Sequence, residues 1–195
     1  MRSTTIIAAV SLGLALAGCG KKTDTTTADA NMTMDMNASM NGDAGTNMVA
    51  AGPALPAQQF TDMVAASDMF EIQTGKLAET AGGSAAIKDF GKMLVTDHSK
   101  SSSMLKSAAA KTSPVVALPM VLPAELKAKM AALKATKGAD FDKLFVEQQT
   151  EGHQKALDAL KAYAAGGDQP SLKDFATTAT PVVEGHLAKL QAMPR

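Results

Sequence analysis

Two related stretches of the sequence, Ile87-Lys88-Asp89-Phe90 and Leu172-Lys173-Asp174-Phe175, are the best guide to the architecture. The first stretch leads to His98 and the second to His186, and the remaining histidine of the chain is His153. Each histidine continues a run of apolar residues spaced three or four positions apart, which is the spacing of one face of an α-helix. The sequence therefore predicts three amphipathic helices, each with one histidine on its apolar face.

The rest of the folded part, predicted for residues 59–195, is also helical, because it lacks Trp and any alternating β pattern. Long helices are predicted at 57–81, 84–112, 139–166 and 171–193, with Ser84 and Ser171 as N-caps and Pro181 as a kink or interruption of the last one. Residues 113–138 form a long connection with three prolines and a short helix at 124–135. Two short turns and one long crossover predict an all-α, ferritin-like four-helix bundle.

The N-terminus has the pattern of a secretory signal peptide, predicted for residues 1–18. Arg2 precedes an apolar run from Ile6 to Leu16, and the run ends in Leu16-Ala17-Gly18-Cys19. This ending resembles the lipobox of bacterial lipoproteins, and Cys19 is the single cysteine of the chain. The resemblance implies cleavage before Cys19 and its lipidation, and therefore a membrane anchor. Gly20, in place of an aspartate, implies an outer-membrane protein that faces the periplasm.

Residues 19–58 are predicted to be a disordered tether, because they are poor in large apolar side chains and rich in Thr, Asn, Ala, Asp and Gly. Closely spaced methionines lie inside this segment. Thioether sulfur is a soft ligand that suits Cu(I), so a copper-binding tether is one hypothesis; a plain low-complexity spacer is the other. The methionines concerned are Met32, Met34, Met36 and Met40.

The folded part resembles a known bacterial family along most of its length. The residues that carry the resemblance include Phe70-Glu71-Ile72, Lys88-Asp89-Phe90, Asp97-His98-Ser99, Leu118-Pro119, Phe141-Asp142, Gln149 to His153, Pro181 and His186-Leu187. The family is the bacterial domain of unknown function 4142, which is similar to ferritin-like proteins. The resemblance implies a secreted or lipid-anchored protein, and it implies no particular activity.

Four polar residues are candidates for a metal site, because each lies near the middle of a predicted bundle helix or somewhat beyond it. They are Glu71, His98, His153 and His186. At similar heights in a bundle they would converge, and such a set suits one divalent ion of Zn, Fe, Mn or Cu. A di-iron centre is not expected, since it needs Glu three residues before the histidines and the chain has Val95, Thr150 and Val183 there.

Three functions stay open from the sequence, the third of which is a redox or hydrolytic metalloenzyme. The first is a lipid-anchored envelope protein without enzymatic activity that has a structural or interaction role, in which the histidines are hydrogen-bonded core residues and Glu71 pairs with His98. The second is a periplasmic metal-binding protein. Nucleic acid is not expected as a partner, because 19 basic residues are balanced by 19 acidic ones. The sequence identifies no protein partner, no catalytic residue and no cofactor beyond the hypothetical metal ion.

Overall fold

The computed structural model describes residues 53–193. The predicted signal peptide at 1–18, the lipidation site Cys19 and the tether methionines Met32, Met34, Met36 and Met40 all lie outside these residues. So does most of the predicted tether at 19–58, and its last residues already belong to the first helix, which begins at Ala57. None of the helices in the described part has an apolar stretch long enough to cross a membrane.

Residues 53–193 form five helices and no strand. In chain order they are α1 (Ala57–Ala81), α2 (Ala85–Ala109), α3 (Ala124–Lys134), α4 (Gly138–Gly166) and α5 (Pro170–Gln191). Helix α1 packs against α2 and α4, and α5 packs against the same two helices, so α1 and α5 lie on one diagonal of the bundle. The short helix α3, in the crossover, contacts α1 and α4. This arrangement confirms the prediction of an all-α bundle with one long crossover.

The turn between α1 and α2 is held by a side chain from α4. The Asp142 carboxylate accepts hydrogen bonds from the backbone N–H groups of Gly83, at 2.8 Å, and Ser84, at 2.9 Å. The Ser84 hydroxyl accepts from the N–H of Ile87, which confirms the predicted N-cap of α2. The turn that joins the two helices is therefore fixed against the second half of the bundle.

The prediction of an N-cap at Ser171 is wrong, and so is the prediction that Pro181 interrupts α5. Ser171 is not its N-cap, because the helix already begins at Pro170 and Ser171 is its second residue; the Ser171 hydroxyl donates instead to the carbonyl of Ala108. Pro181 does not interrupt the helix, which continues to Gln191. The carbonyl that loses its N–H partner belongs to Thr177, an exposed residue, so water can satisfy it.

The core consists of two apolar clusters with a polar layer between them. One cluster contains Phe60 and Tyr163, whose rings stack at 4.0 Å between centroids. The other cluster contains Phe90 and Phe145. The buried polar residues between the clusters include Asp68, Glu71, His98, Gln149, His153 and His186. The layer lies at mid-height because each long helix switches from one cluster to the other near its polar residue.

Helices α1 and α2 touch backbone to backbone at two glycines. A Cβ atom at Gly91 would lie 2.6 Å from the Gly75 carbonyl oxygen, and a Cβ at Gly75 would lie 2.6 Å from that of Gly91. Both distances are too short for real atoms, so any side chain would force the helices apart. This contact sets the spacing at which Asp68 and His98 meet across the same interface.

We expect Gly91→Ala to lower the free energy of unfolding by about 1–3 kcal/mol, the usual cost of overpacking, measured by urea denaturation. Gly185→Ala is the control, because a Cβ at Gly185 meets nothing within 4 Å. That change should stabilise the protein by up to about 1 kcal/mol, since alanine favours the helix. Equal effects of the two substitutions would contradict a close contact between α1 and α2.

Candidate metal centre

Three histidines from three helices meet in the polar layer. His98 comes from α2, His153 from α4 and His186 from α5, and all three are buried. Each offers one ring nitrogen such that the three atoms lie within 4.8 Å of one another. Each ring is also held by a hydrogen bond from its other nitrogen, and these outer hydrogen bonds decide which nitrogens face inward.

His98 is held by Asp68 of α1. Its Nδ1 lies 2.8 Å from Oδ1 of Asp68, and Oδ2 of the same carboxylate accepts a hydrogen bond from the Ser102 hydroxyl at 3.2 Å. The carboxylate has no proton to give, so Nδ1 of His98 is the donor. The other nitrogen, Nε2, is buried and has no hydrogen-bond partner among the described residues. An unpartnered buried nitrogen is costly, so Nε2 of His98 is a candidate ligand atom.

His153 and His186 form a chain that ends at Asp97. Nδ1 of His153 donates to the Gln149 carbonyl at 2.9 Å. Nε2 of His153 lies 3.1 Å from Nδ1 of His186. Nε2 of His186 lies 2.9 Å from Oδ2 of Asp97 and donates to it. The carbonyl and the carboxylate can only accept, so the outer nitrogen of each ring carries a hydrogen.

The hydrogen-bonded chain of His153, His186 and Asp97 is one hydrogen short when both rings are neutral. Two neutral imidazoles carry two N–H groups, and the outer acceptors take both of them. Nε2 of His153 and Nδ1 of His186 are then two lone pairs that face each other at 3.1 Å. Lone pairs at this distance repel unless a proton or a metal ion lies between them. With these tautomers, a proton or a metal ion between the two rings would complete the chain.

Burial disfavours a proton on His153 or His186. Burial, together with the charge of a protonated His98 or His186, lowers the pKa of His153 to about 3. Burial also lowers the pKa of His186, although the hydrogen bond to Asp97 works in the opposite direction. Both rings are neutral at pH 7 on this basis. A metal ion would therefore fit between the two rings better than a proton.

His98 behaves differently, because it faces more negative charge. Burial alone would lower its pKa, but the hydrogen bond to Asp68 and the charges of Glu71 and Asp68 outweigh burial and raise the pKa. A metal ion that binds Nε2 of His98 must displace this proton. Binding of a metal ion at the layer would therefore be coupled to pH.

Glu71 lies beside the three histidines and outside the group of close donor atoms. Its side chain is fully buried, and Oε1 is 4.0 Å from Nδ1 of His153, the nitrogen that faces away from His186. Oε2 has no hydrogen-bond partner among the described residues. Burial raises the pKa of Glu71 to about 7. Glu71 is therefore a nearby carboxyl group that can become charged near neutral pH. It does not belong to the group of three close ring nitrogens.

The distances fit the ligand sphere of one ion. Zn–N bonds of about 2.0–2.1 Å in a tetrahedral site put neighbouring nitrogens roughly 3.3 Å apart. His153 and His186 are already at 3.1 Å, and the widest separation in the set, up to 4.8 Å, closes with a ring movement of about 1.5 Å. Three neutral imidazoles add no charge, so the carboxylates of Asp68 and Asp97 would balance a divalent ion.

The structure brings together three of the four predicted site residues, His98, His153 and His186, and places Glu71 next to them. Asp68 was not predicted as the partner of His98, a role that the sequence interpretation gave to Glu71. A signal was present, because Asp68 lies four residues after Val64 and three before Glu71, on the buried face of α1. An aspartate at such a position has to be paired.

Comparison with known proteins gives a family and no relative of known activity. No curated protein and no solved structure matches the chain. A family model described as Domain of unknown function (DUF4142) matches residues 43–193, which include all five helices and the entire histidine cluster. The match covers most of the chain and confirms the resemblance seen in the sequence. The chain belongs to this family, the Domain of unknown function (DUF4142) family.

Proposed function

We propose that this protein binds one divalent transition-metal ion through His98, His153 and His186. The observation that carries the proposal is the set of three inward ring nitrogens, of which two face each other at 3.1 Å and the third has no partner. The outer nitrogen of each ring is held by Asp68, the Gln149 carbonyl or Asp97. Metal-binding histidines are oriented in this way by a carboxylate or a carbonyl on the far side of the ring.

The donor set favours particular metals. Neutral imidazole suits Zn(II), Cu(II), Fe(II) and Ni(II), whereas Mg(II) and Ca(II) prefer oxygen. Three histidines fill three positions of a tetrahedral ion and leave the fourth free for an exogenous ligand. The charge of the site supports a divalent ion, because the Asp68 and Asp97 carboxylates supply two negative charges beside three neutral rings. We therefore expect one ion of the Zn(II) type per chain.

The competing function is the envelope role without a metal, in which the same residues form a buried hydrogen-bonded layer. In that case His98 and the His153–His186 pair would each hold an extra proton, and Asp68 and Asp97 would balance those two charges. The two functions differ in one measurable respect: a metal ion would release protons on binding and would stabilise the folded state, whereas the protonated layer would be indifferent to metals and chelators.

The test is metal analysis of protein purified without a histidine tag. The chain from residue 20 onward is dialysed against chelator, then titrated with Zn(II) and Co(II). We expect one ion per chain, release of the His98 proton near pH 6, and a Co(II) absorption spectrum of a low-coordinate site. Gln148→Ala, a change at a buried polar residue of α4 outside the cluster, should bind the metal normally. A failure of the wild type to bind any of these ions with micromolar affinity would refute the proposal.

We also propose that the metal site is held at the cell envelope by a lipid anchor on Cys19. The support is the lipobox-like ending Leu16-Ala17-Gly18-Cys19 after an apolar run. Several acyl chains on one cysteine make a stable anchor, where a single chain would bind weakly. The site would then face the periplasm on a tether of some tens of residues.

Cys19→Ser is expected to move the protein from the membrane fraction to the soluble fraction, because it removes the thiol that would be acylated. The measurement is fractionation of cells followed by mass spectrometry of the N-terminal peptide. Ser11→Ala, in the apolar run, is the control and should leave the distribution unchanged. A Cys19→Ser protein that stays in the membrane fraction as tightly as the wild type would disprove the anchor.

A further inference from the structure

A small cavity opens next to the histidine cluster. Its volume is about 110 Å³, and its walls come from all four long helices. His98 and His186 form part of one wall, together with their orienting carboxylates Asp68 and Asp97. His153 does not line the cavity. The space therefore borders the proposed metal site on the side of α2 and α5.

The remaining walls are mostly apolar. Val64, Leu160, Phe175 and Val183 line the cavity and are buried in the core. Lys100 also borders it, but this residue is exposed, so its ammonium group belongs to the solvent-facing rim. A cavity with a polar end at two histidines and an apolar body has the form of a ligand site, in which a few polar groups fix the orientation of a mostly apolar molecule.

We infer that this cavity holds a small neutral molecule whose single nitrogen or oxygen donor occupies the free position on the metal. This inference rests on the proposed function, because the histidines leave that position open only if they hold an ion. A neutral ligand fits better than an anion, since Asp68 and Asp97 already balance a divalent charge and a further buried negative charge would be costly.

The volume limits the size of the ligand. An apolar protein cavity of about 150 Å³ accommodates benzene, so a space of about 110 Å³ accommodates a molecule somewhat smaller. Imidazole has five non-hydrogen atoms, one metal-binding nitrogen and no charge at alkaline pH. It is therefore a suitable probe for the chemical class, which is that of small azoles, amines and comparable single-donor molecules.

The experiment uses the full-length protein, free of tags, purified in detergent and loaded with Co(II). Imidazole is titrated at pH 8 while the visible spectrum of the cobalt ion is recorded. We expect a saturable spectral change with one imidazole per cobalt, and cobalt should remain with the protein. Benzimidazole, which has nine non-hydrogen atoms, should cause no such change at the same concentrations.

Two variants connect the spectral change to the cavity. Ala179 lines the cavity from α5 and is partly buried, so Ala179→Leu should fill part of the space and weaken imidazole binding about tenfold or more. Ser101→Leu enters the cavity from α2 and should have the same effect if Ala179→Leu does not fold. Ala65→Leu is the matched control, because Ala65 is partly buried against the same apolar cluster but does not line the cavity.

The outcomes separate the two proposals. Loss of the imidazole response in Ala179→Leu, with the response kept in Ala65→Leu and cobalt bound in both, supports a ligand site in the cavity. A wild-type protein that binds cobalt but ignores imidazole, or responds equally in all variants, overturns the cavity site and leaves metal binding intact. A wild type that binds no cobalt overturns the proposed function, and the cavity site with it.

Discussion

His153→Ala is expected to weaken metal binding by more than about 100-fold, because loss of a partner that merely orients a ligand already costs 10–100-fold. The reason is the central position of this residue: its Nε2 faces Nδ1 of His186 at 3.1 Å. Wild type saturated with metal at about 1,000 times its Kd gains about 4 kcal/mol of stability. Chelator should therefore lower the wild-type melting temperature by roughly 10 °C, and should have no effect on the variant.

Calorimetry with and without chelator measures this change in melting temperature. Further variants test whether the ion is bound by the histidine cluster. His98→Ala should also abolish the response to chelator, and the double variant His98→Ala/His153→Ala should show no further loss, because either change already opens the site. Gln148→Ala is the control, since Gln148 is buried on the same helix and its amide donates to the Lys129 carbonyl, away from the hydrogen bonds of the three rings. If chelator shifts the wild type and His153→Ala equally, the ion is bound elsewhere.

Without metal, His153→Ala still has a cost. It leaves Nδ1 of His186 without the neighbour that faces it, and an unsatisfied buried polar group costs about 1–3 kcal/mol. In a protein that binds no metal, this would be the whole effect. The effects of His98→Ala and His153→Ala would then depend on how far the two rings share partners, and chelator would be irrelevant to both. The response to chelator is therefore the decisive measurement, and the loss of stability alone is not.

The helical periodicity was sufficient to predict the bundle and the depth of the histidines. A residue that continues a stripe of apolar positions must face the core, so His98 and His153 could be placed from spacing alone. The long crossover at 113–138 also restricted the topology, because it is longer than a simple up-down bundle requires. Residue spacing within a helix and the length of a connection can both be determined from the sequence alone.

The pairing within the polar layer could not be read in the same way. Whether His98 meets Asp68 or Glu71 depends on the relative height of α1 and α2, and the contact between Gly75 and Gly91 contributes to fixing that height. The two acidic residues are one helical turn apart, so spacing along α1 does not distinguish them. The choice of inward nitrogen on each ring depends on hydrogen bonds from other helices, which a sequence pattern does not contain.

Glu71→Gln is expected to stabilise the metal-free protein at alkaline pH and to have little effect at acidic pH. Burial raises the pKa of the folded Glu71 carboxyl from 4.5 to about 7. Between these two values the folded state holds a proton that the unfolded state has released, so stability falls as the pH rises through this window. The cost reaches about 3 kcal/mol by pH 8, since each unit corresponds to about 1.4 kcal/mol.

Glutamine has the shape of the protonated acid and cannot ionise, so it removes this cost. We expect Glu71→Gln to gain about 2–3 kcal/mol relative to the wild type on going from pH 5 to pH 8, measured by urea denaturation in the presence of chelator. Glu79→Gln, at an exposed position on the same helix, should show no such pH-dependent gain. An equal pH dependence in wild type and Glu71→Gln would show that the Glu71 carboxyl is not a buried acid.

The neighbouring histidines also contribute to the pH dependence of the stability of the metal-free protein. His98 also has a raised pKa, so its contribution is complete below pH 6.5 and is lost as the pH rises through the folded value. The lowered pKa of His153 acts in the other direction, and its contribution is lost as the pH falls from 6.5 towards about 3. Metal-free protein should therefore be most stable between about pH 4.5 and 6.5.

A bound divalent ion would reverse the loss of stability at alkaline pH, because deprotonated His98 and ionised Glu71 both favour the ion. Glu71→Gln should consequently bind Zn(II) more weakly at pH 8 while its metal-free form is more stable, a combination that a purely structural carboxyl would not produce.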